Sequence, residues 1–165
     1  MPDIQLVADS TCDLSPELKE IFHIVTIPLC IILEDASYFD GEQITPDQIY
    51  QWSDANRQTP KTAAVSYEKA LEILKPFMDA GKDIIFIGIS EQMSTTCNVM
   101  RLIREDLHYD NLHVIDSMNL STGIGLQLLY AASLIADGKA VEEIVERVDQ
   151  HRGKVRASFV VETLT

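Results

Sequence analysis

The sequence predicts an α/β protein in which helices cover both faces of a mostly parallel sheet. Short runs of apolar and β-branched residues alternate along the chain with segments in which apolar residues recur at helical spacing. The run at 84–89 is apolar apart from Gly88, which is typical of a strand buried on both faces. A length of 165 residues suits one domain with its own core. We therefore predict a single α/β domain over residues 1–165.

The composition argues against several classes of partner. A net charge of -13 is unfavourable for nonspecific binding to nucleic acid or to an anionic membrane, because both need a basic protein surface. No apolar run approaches the roughly 20 residues of a spanning helix. The N-terminus lacks the pattern of a signal peptide. Cys12, Cys30 and Cys97 stand in no metal-ligand spacing, so we expect reduced thiols in a cytoplasmic protein, with Cys30 in the core and without metal or cofactor.

The first half of the chain begins with a predicted strand, a helix and a second strand. The apolar run at 4–8 predicts the first strand, and the residues at 15–17, SPE, are typical of a helix start. The run at 23–33 is the longest apolar and β-branched run and predicts the second strand. Pro28 lies within this run, and we expect a break or an edge position there.

The rest of the chain continues the alternation. Thr45 and Gln48 predict a capping box at the start of a helix. The segment 56–66 shows no periodicity and is predicted to be a long polar loop, which is often functional. Later strands are predicted at 84–89, 113–115 and 155–161, and helices at 67–80, from about 97, from 123 to about 138 and at 141–152.

The turn at 90–96 joins the central strand to the next helix and is rich in hydroxyl groups. The first amides of a helix have no internal partners, so a helix start can bind a carboxylate or a phosphate. In open α/β sheets, ligands bind at the carboxyl ends of the strands. We therefore predict that Ser94, Thr95 and Thr96 face such a ligand. A second interpretation stays open, in which Ser94 merely caps the helix.

Other predicted strand ends carry similar side chains, and these are expected to meet at the same edge of the sheet. Hydroxyl groups there suit a carboxylate better than a triphosphate, which usually needs Lys, Arg or Mg²⁺. Thr62, in the long loop, could reach the same edge. The residues predicted to line this cleft are Asp9, Ser10, Thr11, Ser90, Asp116, Ser117 and Ser121.

Catalytic residues are harder to identify. The segment 88–92, GISEQ, is not a nucleophile elbow, because it lacks the last glycine. None of the four histidines is predicted at a carboxyl strand end. Asp9 could accept a phosphoryl group. Alternatively, Asp9 and Asp116 accept hydrogen bonds from neighbouring amides and hold the strand ends in shape.

With these motifs in hand, the chain resembles the N-terminal domain of the DegV family, the bacterial fatty-acid-binding proteins. The segment 89–96, ISEQMSTT, is similar to the family's I-S-S-x-L-S-G-T, and 60–66, PKTAAVS, is similar to P-x-T-S-Q-P-S. Further matching segments, in the same order, are 8–14 (ADSTCDL), 27–29 (IPL), 38–40 (YFD), 116–117 (DS), 121–125 (STGIG) and 159–164 (FVVETL).

The resemblance implies a carrier without catalytic activity of its own. Such a protein holds a long-chain fatty acid and presents it to a partner fatty acid kinase for phospholipid synthesis. The carboxylate would be bound by Thr62 and Ser94 and by amides of the adjoining turn, next to Thr95 and Thr96. The alternatives are a phosphotransfer enzyme that uses Asp9, and a protein-interaction domain without a ligand.

The chain also departs from the family pattern. Thr95 replaces a glycine, and Glu91 replaces a serine and adds a negative charge beside the predicted carboxylate site. The polar S-Q-P of the loop is replaced at 63–65 by AAV. The sequence ends directly after a predicted strand, so we expect a truncated chain without the C-terminal domain that completes a lipid tunnel. The face left uncovered would favour self-association.

Overall fold

The computed structural model describes residues 3–162, with seven strands and six helices in that part of the chain. The strands are β1 Ile4–Asp9, β2 Val25–Ile27, β3 Cys30–Leu33, β4 Ala36–Phe39, β5 Lys61–Ala63, β6 Asp83–Gly88 and β7 Leu112–Asp116. The helices are α1 Pro16–Ile21, α2 Pro46–Asn56, α3 Tyr67–Asp79, α4 Thr96–Asp106, α5 Thr122–Ala136 and α6 Val141–His151, and short 3-10 turns cover Ser10–Cys12 and Arg152–Lys154.

The main sheet has four parallel strands in the order β2-β1-β6-β7. Val7 pairs with Phe86, and Phe86 pairs with Val114, so β6 lies between two parallel neighbours. The predicted central strand is confirmed, because the apolar side chains of β6 are removed from water on both faces.

Helices cover both faces of this sheet, as the sequence predicts. On one face, the side chains of Leu6 and Ile87 pack with residues of α5 and α6, such as Leu128. On the other face, Phe86 packs with residues of α3 and α4, such as Leu74. The two cores therefore fix β1 and β6 from both sides, and the carboxyl ends of these strands form a rigid base for the loops that follow them.

A second sheet of three antiparallel strands, in the order β4-β3-β5, was not predicted. The predicted strand at 23–33 is in fact two strands, because Pro28 lies between β2 and β3. Proline has no N–H group to donate, so the run cannot continue through one ladder. β2 joins the main sheet, and β3 joins the second sheet, whose inner face packs against α2.

Two further predictions on secondary structure need correction. The predicted loop 56–66 contains β5, which pairs with β3. The predicted strand at 155–161 does not form, since the described residues after the 3-10 turn 152–154 pair with no strand. Their β-branched composition satisfied the sequence pattern, yet Val160 is 100% exposed and has no core to pack against. Residues 163–164 of the matched segment 159–164 lie outside the described residues.

The predicted helix starts are confirmed where a local side chain caps the helix. Ser15 accepts a hydrogen bond from the N–H of Leu18, and Thr45 and Gln48 form the predicted capping box. The glycines that open α5 serve close packing, as a Cβ on Gly125 would lie 3.0 Å from the carbonyl oxygen of Cys12. This approach holds the start of α5 against the turn that follows β1.

Candidate functional site

An open cleft of about 460 Å³ lies between β5 and the turn that joins β6 to α4. It brings Thr62 together with Ser94 and Thr95, although the sequence separates them by the whole of α3 and β6. Its lining combines hydroxyl groups with apolar side chains, and consists of Leu29, Thr62, Ala63, Ala64, Ile89, Glu91, Gln92, Met93, Ser94 and Thr95.

The turn at 90–94 owes its shape to Ser90. The carbonyl oxygen of Ser90 accepts hydrogen bonds from the N–H groups of Met93 at 2.9 Å and Ser94 at 3.1 Å. Its side-chain oxygen accepts a third from the N–H of Gln92 at 3.3 Å. Ser90 itself is buried and is not among the residues that line the cleft. Its role is therefore to hold the turn that presents Ser94.

Ser94 both supports the helix start and faces the cleft. The N-terminal cap of α4 is Thr95, whose side chain makes no capping hydrogen bond. The side-chain oxygen of Ser94 instead accepts a hydrogen bond from the N–H of Thr96 at 3.2 Å. The two interpretations of Ser94 are thus compatible, because one lone pair serves the helix while the side chain also lines the cleft.

The replacement of the family's glycine by Thr95 does not strain the backbone. Thr95 has φ -86° and ψ 10°, which a residue with a side chain adopts without strain. Its side chain is exposed in the cleft wall. The substitution therefore changes the surface of the cleft rather than the conformation of the turn.

Thr62 is placed by the second sheet. It lies on β5, an edge strand, and pairs with Ile31 of β3. The side chain is exposed and lines the cleft opposite the turn at 90–94. The cleft thus has one wall from each sheet.

Thr96 does not line the cleft, which corrects its predicted direct contact with a ligand. The residue is fully buried, and its hydroxyl oxygen lies 2.8 Å from that of Ser94. The same oxygen accepts a hydrogen bond from the N–H of Val65 at 3.4 Å. Thr96 therefore connects the cleft turn to the segment that follows β5.

The charge of Glu91 is partly offset by a neighbouring cation. Glu91 lines the cleft and forms an ion pair with Arg101 on α4. The sequence identified the negative charge of Glu91 but not its partner, which lies in the second turn of α4. Because the pair carries no net charge, the repulsion of an anion in the cleft is weaker than that of an isolated carboxylate.

Asp9 is a buried structural carboxylate and does not line the cleft. Its oxygens accept hydrogen bonds from the backbone N–H of Ile89 at 2.6 Å, from the N–H of Thr11 at 2.9 Å and from the Thr11 hydroxyl. Burial raises the pKa of the Asp9 carboxyl, although these hydrogen bonds act in the opposite direction. With its side chain fully buried and both oxygens engaged, Asp9 has no free face toward a phosphoryl group.

The other predicted lining residues also hold loops in place. Asp116 accepts hydrogen bonds from the N–H groups of Met118 at 2.8 Å and Glu91 at 3.3 Å. Ser117 is fully buried and donates to the carbonyl oxygen of Asn119 at 3.1 Å. These contacts match the alternative interpretation of the strand-end carboxylates, in which they shape the loops.

The remaining members of the predicted set lie apart from the cleft. Ser10 donates to Asp40 at 2.7 Å and lines a separate surface pocket. Ser121 donates to Asp13 at 2.6 Å, at the start of α5. The structure thus corrects the expectation that all strand ends share one cleft, since only Thr62, Ser94 and Thr95 of the predicted residues line it.

Sequence reasoning missed the apolar part of the cleft. Leu29 and Ile89 were assigned to strands, whereas Leu29 lies between β2 and β3, Ile89 directly follows β6, and both line the cleft. Met93 is 58% exposed within an otherwise polar turn, which is the one signal that the sequence offered. These side chains give the cleft a hydrophobic surface next to its hydroxyl groups.

The cysteines are arranged differently from the expectation. Cys12 and Cys97 are buried, whereas Cys30 is only half-buried at the start of β3, the central strand of the second sheet. Burial, followed by the nearby negative charge of Asp116, raises the pKa of Cys97 to about 12. Cys97, directly behind the cleft turn, is therefore an unreactive core residue.

The described part of the chain contains neither a cluster of metal-ligating side chains nor a membrane-spanning helix. Within residues 3–162, no three His, Cys, Asp or Glu side chains are grouped so that they could hold a metal ion. No helix in that range has the length and apolar content needed to cross a membrane.

The fold and the cleft together define an α/β domain with a small hydroxyl-lined and apolar binding cleft. The sequence model of the DegV family matches residues 3–165, so this chain belongs to the DegV family. A DegV domain-containing protein of Clostridium perfringens is 33% identical over 164 residues. The match covers 99% of this chain and 59% of that protein, so the chain spans about three-fifths of its relative's length.

Solved structures agree with this assignment. The chain is similar to a fatty-acid-binding DegV family protein from Thermus thermophilus, with a TM-score of 0.81 and 28% identity over 91% of this chain and 53% of that one. A stearic-acid-binding protein from Eubacterium ventriosum gives a TM-score of 0.78 and 28% identity, with coverage of 90% and 52%. The fatty acid kinase (Fak) B3 protein of Streptococcus pneumoniae, loaded with linoleic acid, gives 0.75 and 25%, with 93% and 55%. The predicted fold class and family are confirmed.

Proposed function

We propose that this chain binds the carboxylate of a long-chain fatty acid in the cleft between β5 and the turn before α4. The observation that carries the proposal is the meeting of Thr62, on β5 of the second sheet, and Ser94, in the turn after β6, at one apolar-walled cleft. Each hydroxyl group can donate one hydrogen bond to a carboxylate oxygen.

The surroundings of these hydroxyls suit an amphiphilic ligand. The exposed side chain of Met93 offers an apolar surface beside the polar groups, and the mostly buried Leu29 and Ile89 also line the cleft. A buried methylene group contributes about 0.8 kcal/mol, so an acyl chain adds affinity in proportion to the length that is covered. The cleft is open, and the relatives are longer than this chain. We propose that a second domain of the whole protein closes a tunnel around the rest of the acyl chain.

The absence of a net positive charge in the lining also favours a monoanion with a long apolar part. The described lining residues include one charged side chain, Glu91, which is paired with Arg101. A triphosphate usually requires Lys, Arg or Mg²⁺ at its binding site, whereas hydroxyl donors can satisfy a single carboxylate.

The relatives support the wider role. Similarity to a fatty-acid-loaded Fak B3 protein is consistent with a carrier that presents its acyl chain to a partner fatty acid kinase for phospholipid synthesis. In that role the chain is a cytoplasmic carrier and the partner performs the chemistry. The position of Asp9, buried behind Ile89, gives no support to a phosphotransfer activity of this chain.

The carboxylate contact can be tested on this chain by NMR with octanoate, below its micelle-forming concentration. We expect octanoate to shift the amide signals of residues 62 and 94–97, and Ser94→Ala to weaken binding about tenfold or more. The loss of one hydrogen bond to a charged group costs about 1.5–3 kcal/mol, and 1.4 kcal/mol corresponds to tenfold.

A matched control keeps the test specific. Ser133→Ala removes another serine hydroxyl, from the exposed side of α5, where it donates to the carbonyl oxygen of Tyr130. Its octanoate affinity should equal that of the unmodified chain. Shifts confined to other surfaces, or equal affinity in Ser94→Ala, would contradict the proposed function.

A further inference from the structure

We propose that Thr96 is a positioning residue that fixes the Ser94 hydroxyl as a hydrogen-bond donor toward the cleft, and that this makes the site selective for head groups that only accept hydrogen bonds. The inference rests on the proposed function and deepens it. The directions of the hydrogen bonds behind the cleft wall decide which ligands Ser94 can bind.

The buried hydroxyl of Thr96 must both accept and donate a hydrogen bond. Its oxygen accepts the N–H of Val65 at 3.4 Å and lies 2.8 Å from the hydroxyl oxygen of Ser94. The side chain is 0% exposed, so water cannot take its hydrogen. Among residues 3–162, the acceptor within reach of this hydrogen is the hydroxyl oxygen of Ser94. A buried O–H without an acceptor is strongly disfavoured, so Thr96 donates to Ser94.

Thr96 occupies both lone pairs of the Ser94 hydroxyl. A hydroxyl oxygen has two acceptor sites and one hydrogen to donate. The N–H of Thr96 occupies one acceptor site at 3.2 Å, and the O–H of Thr96 occupies the other. The oxygen of Ser94 therefore has no site left for a ligand donor. Its own hydrogen is free, and the half-buried side chain lines the cleft.

The burial of Thr96 argues against the reverse direction of this hydrogen bond, in which Ser94 would be the donor. If Ser94 donated to Thr96, then the oxygen of Thr96 would accept from both Ser94 and Val65, and its own buried hydrogen would have no partner. Ser94, by contrast, lies at an open cleft where water or a ligand can accept from it. The difference in exposure between the two hydroxyls thus decides the direction of the bond.

The consequence is chemical selectivity. A carboxylate oxygen only accepts hydrogen bonds, so it matches the donor that Ser94 presents. A primary amide of the same shape replaces one of these oxygens with an NH₂ group, which needs an acceptor that Ser94 cannot offer. We therefore expect a large preference for octanoate over octanamide, part of which depends on Thr96.

The test compares these two ligands by NMR titration of the unmodified chain and of Thr96→Val and Thr96→Ser. Valine keeps the shape of threonine but has no hydroxyl, so one acceptor site of Ser94 becomes free for an amide donor. We expect Thr96→Val to reduce the ratio of octanoate affinity to octanamide affinity about tenfold. Thr96→Ser retains the O–H group and should show the same affinity ratio as the unmodified chain.

The outcomes separate this inference from the proposed function. An unchanged ratio in Thr96→Val, or an equal weakening of both ligands, would overturn the positioning role, because a merely structural role affects both ligands alike. If Ser94→Ala binds octanoate as well as the unmodified chain does, the proposed carboxylate site fails and the inference fails with it. If Ser94→Ala weakens octanoate binding while the ratio survives Thr96→Val, only the inference fails.

Discussion

The carboxyl group of Asp9, at the end of β1, accepts a hydrogen bond from the backbone N–H of Ile89 at 2.6 Å. Ile89 follows β6 directly and forms part of the cleft wall. The backbone pairing of the parallel strands β1 and β6 ends at Ala8 and Ile87. The carboxylate therefore extends the connection between the two central strands into the loops beyond them, and it fixes the start of the turn that presents Ser94.

Replacement of Asp9 by asparagine should destabilise the protein. The asparagine side chain has one acceptor oxygen, so at least one of the three donors that Asp9 satisfies would be left without a partner. A buried unsatisfied donor costs about 1–3 kcal/mol in the free energy of unfolding. Urea denaturation of Asp9→Asn measures this loss, and Asp137→Asn, at an exposed aspartate, should be neutral.

The difference in stability between the unmodified chain and Asp9→Asn should depend on pH, and the burial of Asp9 sets the sign of this dependence. Burial raises the pKa of the Asp9 carboxyl in the folded state above its usual range. At pH values between the pKa of Asp9 in the unfolded chain and its higher pKa in the folded protein, the folded state binds more protons than the unfolded state. The contribution of protonated Asp9 to stability is therefore full below the pKa in the unfolded chain. It is lost as the pH rises through the pKa in the folded protein. The difference in unfolding free energy between the unmodified chain and Asp9→Asn should therefore shrink as the pH rises above about 4. A difference that grows with pH would show that the hydrogen bonds outweigh burial.

The ion pair of Glu91 and Arg101 leads to opposite effects on ligand affinity when either partner is neutralised. Glu91→Gln removes the negative charge from the cleft lining and leaves Arg101 unpaired, so octanoate should bind about two- to threefold more tightly. Arg101→Gln leaves Glu91 unpaired and should weaken binding by a similar factor. NMR titrations at low and at high salt check this prediction, because screening should bring both variants close to the unmodified chain at high salt. Changes in the same direction for both variants would contradict it.

Features of the fold that depend on local sequence could be predicted, whereas those that depend on a distant partner could not. Ser15 and the Thr45–Gln48 box mark helix starts because each caps its own helix. The second sheet was missed because β5 has only three residues and its pairing with β3 is not encoded nearby. The segment 155–161 had the composition of a strand, but composition does not supply a neighbouring strand.

The site shows the same division. The position of Ser94 after the central strand was predictable from spacing. The long loop suggested that Thr62 could reach the same edge, and the resemblance to the DegV family added its role in binding a carboxylate. The burial of Thr96 was not predictable, because it depends on the approach of Val65 from beyond β5. The pairing of Glu91 with Arg101 likewise requires the direction of α4 to be known.

Ser121, at the start of α5, has a backbone conformation that favours glycine. Its φ of 52° and ψ of -130° lie where residues with a Cβ are strained, at a typical cost of about 1–3 kcal/mol. Its hydroxyl compensates in part, because it donates to Asp13 at 2.6 Å. Ser121→Ala and Ser121→Gly both remove this hydrogen bond, but only glycine relieves the strain.

Comparison of these two variants therefore isolates the strain at Ser121. We expect Ser121→Gly to be about 1 kcal/mol more stable than Ser121→Ala in urea denaturation, after the entropic cost of glycine has been subtracted from the relief of strain. Equal stability, or a more stable alanine variant, would mean that the loop before α5 relaxes to an unstrained conformation once the bond to Asp13 is lost. In that case, the start of α5 is held in place by the hydrogen bond from Ser121 to Asp13, which joins the loop after β7 to the loop after β1. The packing of Gly125 on Cys12 would then not be sufficient to hold it.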